Sequence, residues 1–164
     1  MRSWGVEQKR REFTEFYAAA KDDCLRIVLI SVGDRPLAED LVAEAFTRAW
    51  TSWRTVRDHP APRAWVVRTA LNAHVSWWRR RRREVPLAEA EPGVTWQPAG
   101  VDDALAAAIR LLPPRQREVL VLRVFFDLDT EATAALLGVA PGTVGVHLHR
   151  ALGTLRTKVP SLLD

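Results

Sequence analysis

Cysteine is almost absent: Cys24 is the single one in 164 residues, which excludes a disulfide framework and a cysteine-rich zinc site. Histidines with ligand-like spacing are missing too. His59, His74, His147 and His149 keep no metal-site spacing with acidic residues, and the last two, separated by one residue, diverge on a helix, so no metal is expected. There is no long apolar run either. The longest, Leu25 to Val32, is interrupted by Arg26 and too short to cross a bilayer, and no signal-peptide pattern opens the chain, so a cytoplasmic protein without a membrane partner is expected. No nucleophile paired with a base, phosphate-binding loop or metal set is found, which leaves no catalytic residue to nominate and no cofactor to expect. Aromatics are few at 8%, yet 48% apolar residues suffice for packed helices, and the length suits one domain or two small ones.

Arginine, by contrast, is concentrated. Trp77 to Arg83 reads as two tryptophans followed by five arginines, closing a segment with helical apolar spacing; a charge run on a folded face beside aromatics points to phosphate. The net charge of +4 conceals three blocks. Residues 1–84 carry 17 basic against 11 acidic side chains, residues 85–103 none against four, and residues 104–164 seven against five. The middle block also holds Pro86, Pro92, Gly93, Pro98 and Gly100 without helical periodicity. It reads as a flexible acidic linker joining two small helical domains, 1–84 and 104–164. An ordered loop within one compact unit is the weaker alternative at that length.

The first domain reads as wholly helical. Phe13, Phe16, Ala20, Cys24 and Ile27 recur at spacings of three and four on a helix from about Glu7 to Val32, which Gly33, Asp34 and Pro36 break. On the next, Leu37 to about Trp53, the residues Val42, Ala45, Phe46, Ala49, Trp50 and Trp53 share one side, and Asp40, Glu44, Thr47, Arg48 and Thr51 the other. Asp40 and Glu44 repel mildly while Glu44 and Arg48 attract, so the charged stripe is not chosen purely for helix stability. A solvated face is the commoner explanation; a docking surface for a basic partner is the sharper one.

Trp53 to Pro62, with Arg54 and Arg57, reads as a loop because Pro60 and Pro62 push the residues before them out of helical geometry. A third helix runs from Pro62 into the arginine run. Val66, Ala70, Ala73 and Trp77 face inward on it, and Arg68, Asn72, Val75 and Arg79 lie opposite, with Arg82 and Arg83 close by. A basic stripe around one amide suits phosphate contact plus one or two base contacts, although taken alone Asn72 is more simply a solvent-facing residue.

In the second domain, Leu105, Ile109 and Leu112 mark a helix stopped by Pro113-Pro114, and another runs on to about Phe126. Residues 129–156 then have the grammar of a helix-turn-helix: a short helix ends at Leu136-Leu137, Gly138 suits a left-handed cap, and Pro141 opens the next helix. On that last helix Val144, Leu148, Ala151, Leu152 and Leu155 point inward, and Thr143, His147, Arg150 and Thr154 outward, with Val146 at the edge. In a DNA-binding unit Thr143, Val146 and His147 would read base edges, Val146 against a thymine methyl, and Arg150 a base or phosphate. A helical hairpin with a chance glycine turn remains open on this pattern alone.

Four segments in this order, LAEDLVAEAFTRAW (Leu37–Trp50), PRAWVVRTALN (Pro62–Asn72), LPPRQREVLVLR (Leu112–Arg123) and LLGVAPGTV followed by HLHRAL (Leu136–Leu152), resemble the successive signatures of sigma-70-type bacterial RNA polymerase initiation factors, and the short two-domain layout resembles their extracytoplasmic-function group. The resemblance implies that Asp40, Leu41, Glu44 and Arg48 bind core RNA polymerase at the clamp of its largest subunit. It implies that Arg54, Arg57, Arg68, Asn72, Trp78, Arg79, Arg82 and Arg83 serve minus-ten promoter DNA, where unstacked bases are trapped. It implies that Arg115, Thr143, Val146, His147 and Arg150 serve the minus-thirty-five element, with the second domain resting on the flap of the second-largest subunit. The acidic linker resembles the segment that threads the polymerase active-site and RNA-exit path, and an anti-sigma protein is a further partner to consider.

Some positions depart from the family pattern. Thr69 and Thr133 stand where an aliphatic core residue is usual, Ala132 where Glu is, and Ala140 where a capping Ser is, the last costing roughly 1 kcal/mol of helix stability. Gly145, Val146 and His147 replace a Lys-Ser-Arg series, removing two fixed positive charges. The expected function is a promoter-directing initiation factor without catalysis of its own. The alternatives are a helix-turn-helix regulator, which gives the charged Asp40 to Arg48 stripe no purpose, and a polymerase-binding decoy that does not initiate.

Overall fold

A computed structural model describes residues 2–84 and 103–160, and every regular element among them is a helix, as expected. Helix α1 (Arg2–Val32) ends where Gly33 turns left-handed at φ 78°, its N–H bonded to the carbonyl of Leu29 at 2.7 Å. A side chain on Gly33 would meet Arg110, whose Cδ lies 2.7 Å from the place of a Cβ. Asp34 then caps α2 (Arg35–Thr51), its carboxylate accepting from the Leu37 N–H at 3.1 Å. The expected loop after Trp53 is corrected: α3 (Trp53–Arg57) forms first, because Trp53 and Val56, one turn apart, both bury in the core. Helix α4 (Pro62–Glu84) carries the arginine run.

The second half opens with α5 (Asp103–Arg110), so Asp103, assigned to the linker, is helical; the rest of that linker lies outside the described residues. Helix α6 (Pro114–Leu120) widens into a π turn over Val121–Phe125, closed by the Phe126 N–H on the Val121 carbonyl at 3.3 Å. Helix α7 (Thr130–Leu137) is capped by Asp129, which accepts from the Ala132 N–H at 2.7 Å, and ends at left-handed Gly138. Pro141 opens α8 (Pro141–Lys158).

Three apolar clusters hold these helices, and each crosses between the halves. Val121 buries in the first-half core beside Phe46 and Val67. Ile30 buries among Ala106, Ile109, Leu112 and Leu155. Ala64 packs with Val119, Leu122, Leu137 and Val144. Fully burying a valine or isoleucine side chain is worth about 1.5–3 kcal/mol, so these crossings tie the two halves together directly.

Candidate polymerase and nucleic-acid interfaces

Burial of Ala38, Val42, Ala45, Phe46 and Ala49 turns the other side of α2 outward, leaving Asp40, Glu44 and Arg48 exposed on it. Arg48 donates to Glu44 at 2.7 Å, but both side chains are about half exposed, so the pair contributes only about 0.3–0.5 kcal/mol and is easily exchanged for a partner's charges. Leu41 does not share this surface. It is only 5% exposed and packs with the core, anchoring the helix beneath the stripe instead of presenting itself beside it.

Beyond α2, Arg54 is exposed on α3, whereas Arg57 donates to Glu12 of α1 at 3.0 Å. The hydrogen bond from Gln8, aided by those from Trp53 and Arg57, holds the Glu12 carboxyl below its usual range. Between α2 and α4 lies a cleft of about 360 Å³ whose lining includes Arg48, Ser52, Trp65, Arg68 and Asn72. Trp65 was not among the expected site residues, although its spacing of three from Arg68 and seven from Asn72 puts all three on one helical face. The cleft thus combines an aromatic ring, a guanidinium and an amide.

Asn72 is not free in it. Its neighbours fix the amide orientation: the nitrogen donates to Glu118 Oε1 at 2.8 Å, and the oxygen accepts from Arg68 Nε at 3.1 Å and Nη2 at 3.2 Å. Arg115 donates to the other Glu118 oxygen at 3.0 Å. Burial pushes the Glu118 carboxyl above its usual pKa, opposed by Arg115, Arg68 and Arg117. Partial burial, aided by the neighbouring Arg110 cation, lowers the pKa of Arg117, which donates to the Ser31 carbonyl of α1 at 3.3 Å.

Near the end of α4, Trp78 is 37% exposed and Arg79 is exposed. Trp77 departs from its expected core position: it is half-buried, lies under Arg81 with the guanidinium 5.0 Å from its ring, and lines a cleft shared with Leu37, Arg110 and Arg117. Arg82 and Arg83 lie in helix, and their side chains are outside the described residues. On α8, burial of Val144, Ala151 and Leu155 leaves Thr143, Val146 and Arg150 exposed, while His147 is half-buried. Among the described residues no cluster of histidine, cysteine, aspartate or glutamate could hold a metal ion, and no helix is long and apolar enough to cross a membrane.

Two family models match the chain: Sigma-70 region 2 over residues 16–84 and Sigma-70, region 4 over residues 102–155. An RNA polymerase sigma-E factor of Streptomyces coelicolor is 36% identical over 152 residues, covering 90% of this chain and 86% of that protein. The ECF RNA polymerase sigma factor SigM of Bacillus subtilis is 26% identical over 150 residues, 87% of this chain and 91% of its own. Among solved structures, the sigma factor RpoE from Bartonella quintana, crystallised with the anti-sigma factor NepR, shares the fold with a TM-score of 0.78 at 23% identity, over 92% of this chain and 98% of that one. The chain belongs to the sigma-70 family, in its extracytoplasmic-function group, and is a transcription initiation factor.

Proposed function

We propose that this factor binds core polymerase through Asp40, Glu44 and Arg48 of α2 and directs it to two-part promoters, acting without catalysis of its own. Residues 1–84 serve core binding and the minus-ten element, and residues 104–164 the minus-thirty-five element. The observation that carries the minus-ten assignment is the cleft between α2 and α4. Trp65 offers a stacking face, Asn72 an amide for a base edge and Arg68 a charge for phosphate, the combination an unstacked base needs. Arg54, Trp78 and Arg79 extend this surface, with Arg57, Arg82 and Arg83 as further phosphate contacts. Thr143, Val146, His147 and Arg150 of α8 and Arg115 of α6 serve the minus-thirty-five duplex, and the second domain rests on the polymerase flap. The linker runs through the polymerase, the factor works in the cytoplasm, and an anti-sigma protein is a partner in keeping with the group.

The test adds purified protein to sigma-free core polymerase with a genomic DNA library and maps transcript starts. Specific starts are expected, and Asp40→Arg with Glu44→Arg abolishes core binding while the helical fold persists. Stable core binding without any specific start replaces this reading with that of a decoy. Retained core binding by the double variant removes the stripe from the docking surface.

A further inference from the structure

Glu118 touches, with one carboxylate, residues that the proposed function assigns to both promoter elements. It comes from α6 of the second half, yet Oε1 accepts from Asn72 of α4, whose amide oxygen is in turn held by Arg68, and Oε2 accepts from Arg115. The residue is only 5% exposed. A carboxylate resembles phosphate as an anionic acceptor able to serve two donors at once, and arginine recognises either. Removing such a group from water is costly unless its partners are well placed, so a buried carboxylate that accepts from Asn72 of one half and Arg115 of the other marks a specified contact.

We propose that Glu118 is an intramolecular latch, holding the unbound chain closed and occupying Arg68, Asn72 and Arg115 until the halves separate on the polymerase. The inference rests on the assignment of those residues to promoter contact. While Asn72 donates to Glu118 and its oxygen accepts from Arg68, the amide cannot present its oxygen and an N–H together to a base edge. The closed state has further ties that must be given up with the latch: Arg117 on the Ser31 carbonyl, and the crossings of Val121, Ile30 and Ala64 between the halves. A chain that binds DNA only when open has its apparent affinity reduced by the open fraction. Removing the carboxylate raises that fraction and therefore the affinity of the free chain.

The test uses the full chain with fluorophores on cysteines introduced at exposed Lys21 and Lys158, the native Cys24 being buried with its thiol pushed up to about 12 and hence inert to labelling. Two variants are compared with the wild type. Glu118→Ala removes the carboxylate without adding charge; Glu118→Lys keeps an aliphatic stem and turns a cation toward Arg68, Arg115 and Arg117. Both shift the label separation to longer distances with helical content preserved. Glu118→Ala also binds a single-stranded minus-ten oligonucleotide roughly tenfold more tightly in the same salt. The wild type shows the same lengthening when core polymerase is added. Unchanged separation in Glu118→Lys, or a wild type that stays closed on core polymerase, overturns the latch, as does Glu118→Ala with unchanged oligonucleotide affinity. Failure of the initiation reading is distinguishable, because it appears as missing transcript starts with the wild type while the label separations still report the closure.

Discussion

The indole N–H of Trp78 donates to Nε2 of His74 at 2.6 Å, one turn earlier on α4. The bond requires an unprotonated Nε2. Burial, aided by the nearby Arg117 cation, lowers the His74 pKa from 6.5 to about 4. Because the folded value is depressed, the stabilisation is complete above the unfolded value near 6.5 and is lost as pH falls toward about 4. The loss reaches on the order of 3 kcal/mol. Glu118 acts in the opposite sense: its raised pKa favours the folded chain below the ordinary carboxylate value, an advantage lost as pH rises through the folded value. His74→Gln preserves an acceptor for Trp78 but does not titrate. Urea midpoints at about pH 7 and about pH 5 should diverge more for the wild type than for this variant. Equal divergence in both would show that the acid sensitivity comes from elsewhere.

Thr133 is fully buried on α7, and its hydroxyl oxygen finds no partner among the described residues. An orphaned buried hydroxyl costs about 1–3 kcal/mol, and valine has nearly the same shape without it. Thr133→Val should therefore raise the thermal midpoint, by an amount equivalent to roughly 1 kcal/mol. A lowered midpoint would mean that the hydroxyl is bonded in solution.

The helix-turn-helix was legible in the sequence because its signals are local. Gly138 takes the left-handed conformation expected of it, and Pro141 stands in the first turn of α8. Helix α3 was missed because two prolines beyond it dominate the local pattern, while the burial of Trp53 and Val56 that sustains the turn depends on helices elsewhere. The face carrying Arg68 and Asn72 was also legible as a face. Its cover was not: Glu118 reaches it only through the packing of α6 against α4, and helical periodicity carries no information about which distant element lies opposite. Leu41 shows the reverse limit, since belonging to a family motif does not make a residue part of the exposed surface.

Helix α8 lacks the side-chain cap that α2 and α7 possess. Ala140 has the extended backbone of a capping residue at φ −72° and ψ 149°, yet no side chain to accept from the first turn of α8. Ala140→Ser should supply that acceptor and stabilise the second half by about 1 kcal/mol. Hydrogen exchange localises the gain: the first turn of α8 should slow, while α1 and α2 exchange as before. Exchange unchanged in that turn would mean that the backbone there already finds its partners.

Charge on the outward face of α8 offers a separate test of its proposed role. Arg150 stands there with Thr143 and Val146, and His147 contributes no fixed cation. Each phosphate contact made by a cationic side chain releases counterions and steepens the fall of affinity with salt by about 0.9 per contact on a log–log scale. His147→Arg should therefore tighten duplex binding by the polymerase-bound factor at low salt and steepen the slope by about one. The same variant separates affinity from sequence choice. If the added arginine meets only phosphate, all duplexes gain equally; if it reaches a base edge, the gain concentrates on duplexes with a guanine at one position, because arginine pairs best with guanine in the major groove. A slope identical to that of the wild type on every duplex would place His147 outside the DNA-facing surface and leave Thr143, Val146 and Arg150 to carry the contact.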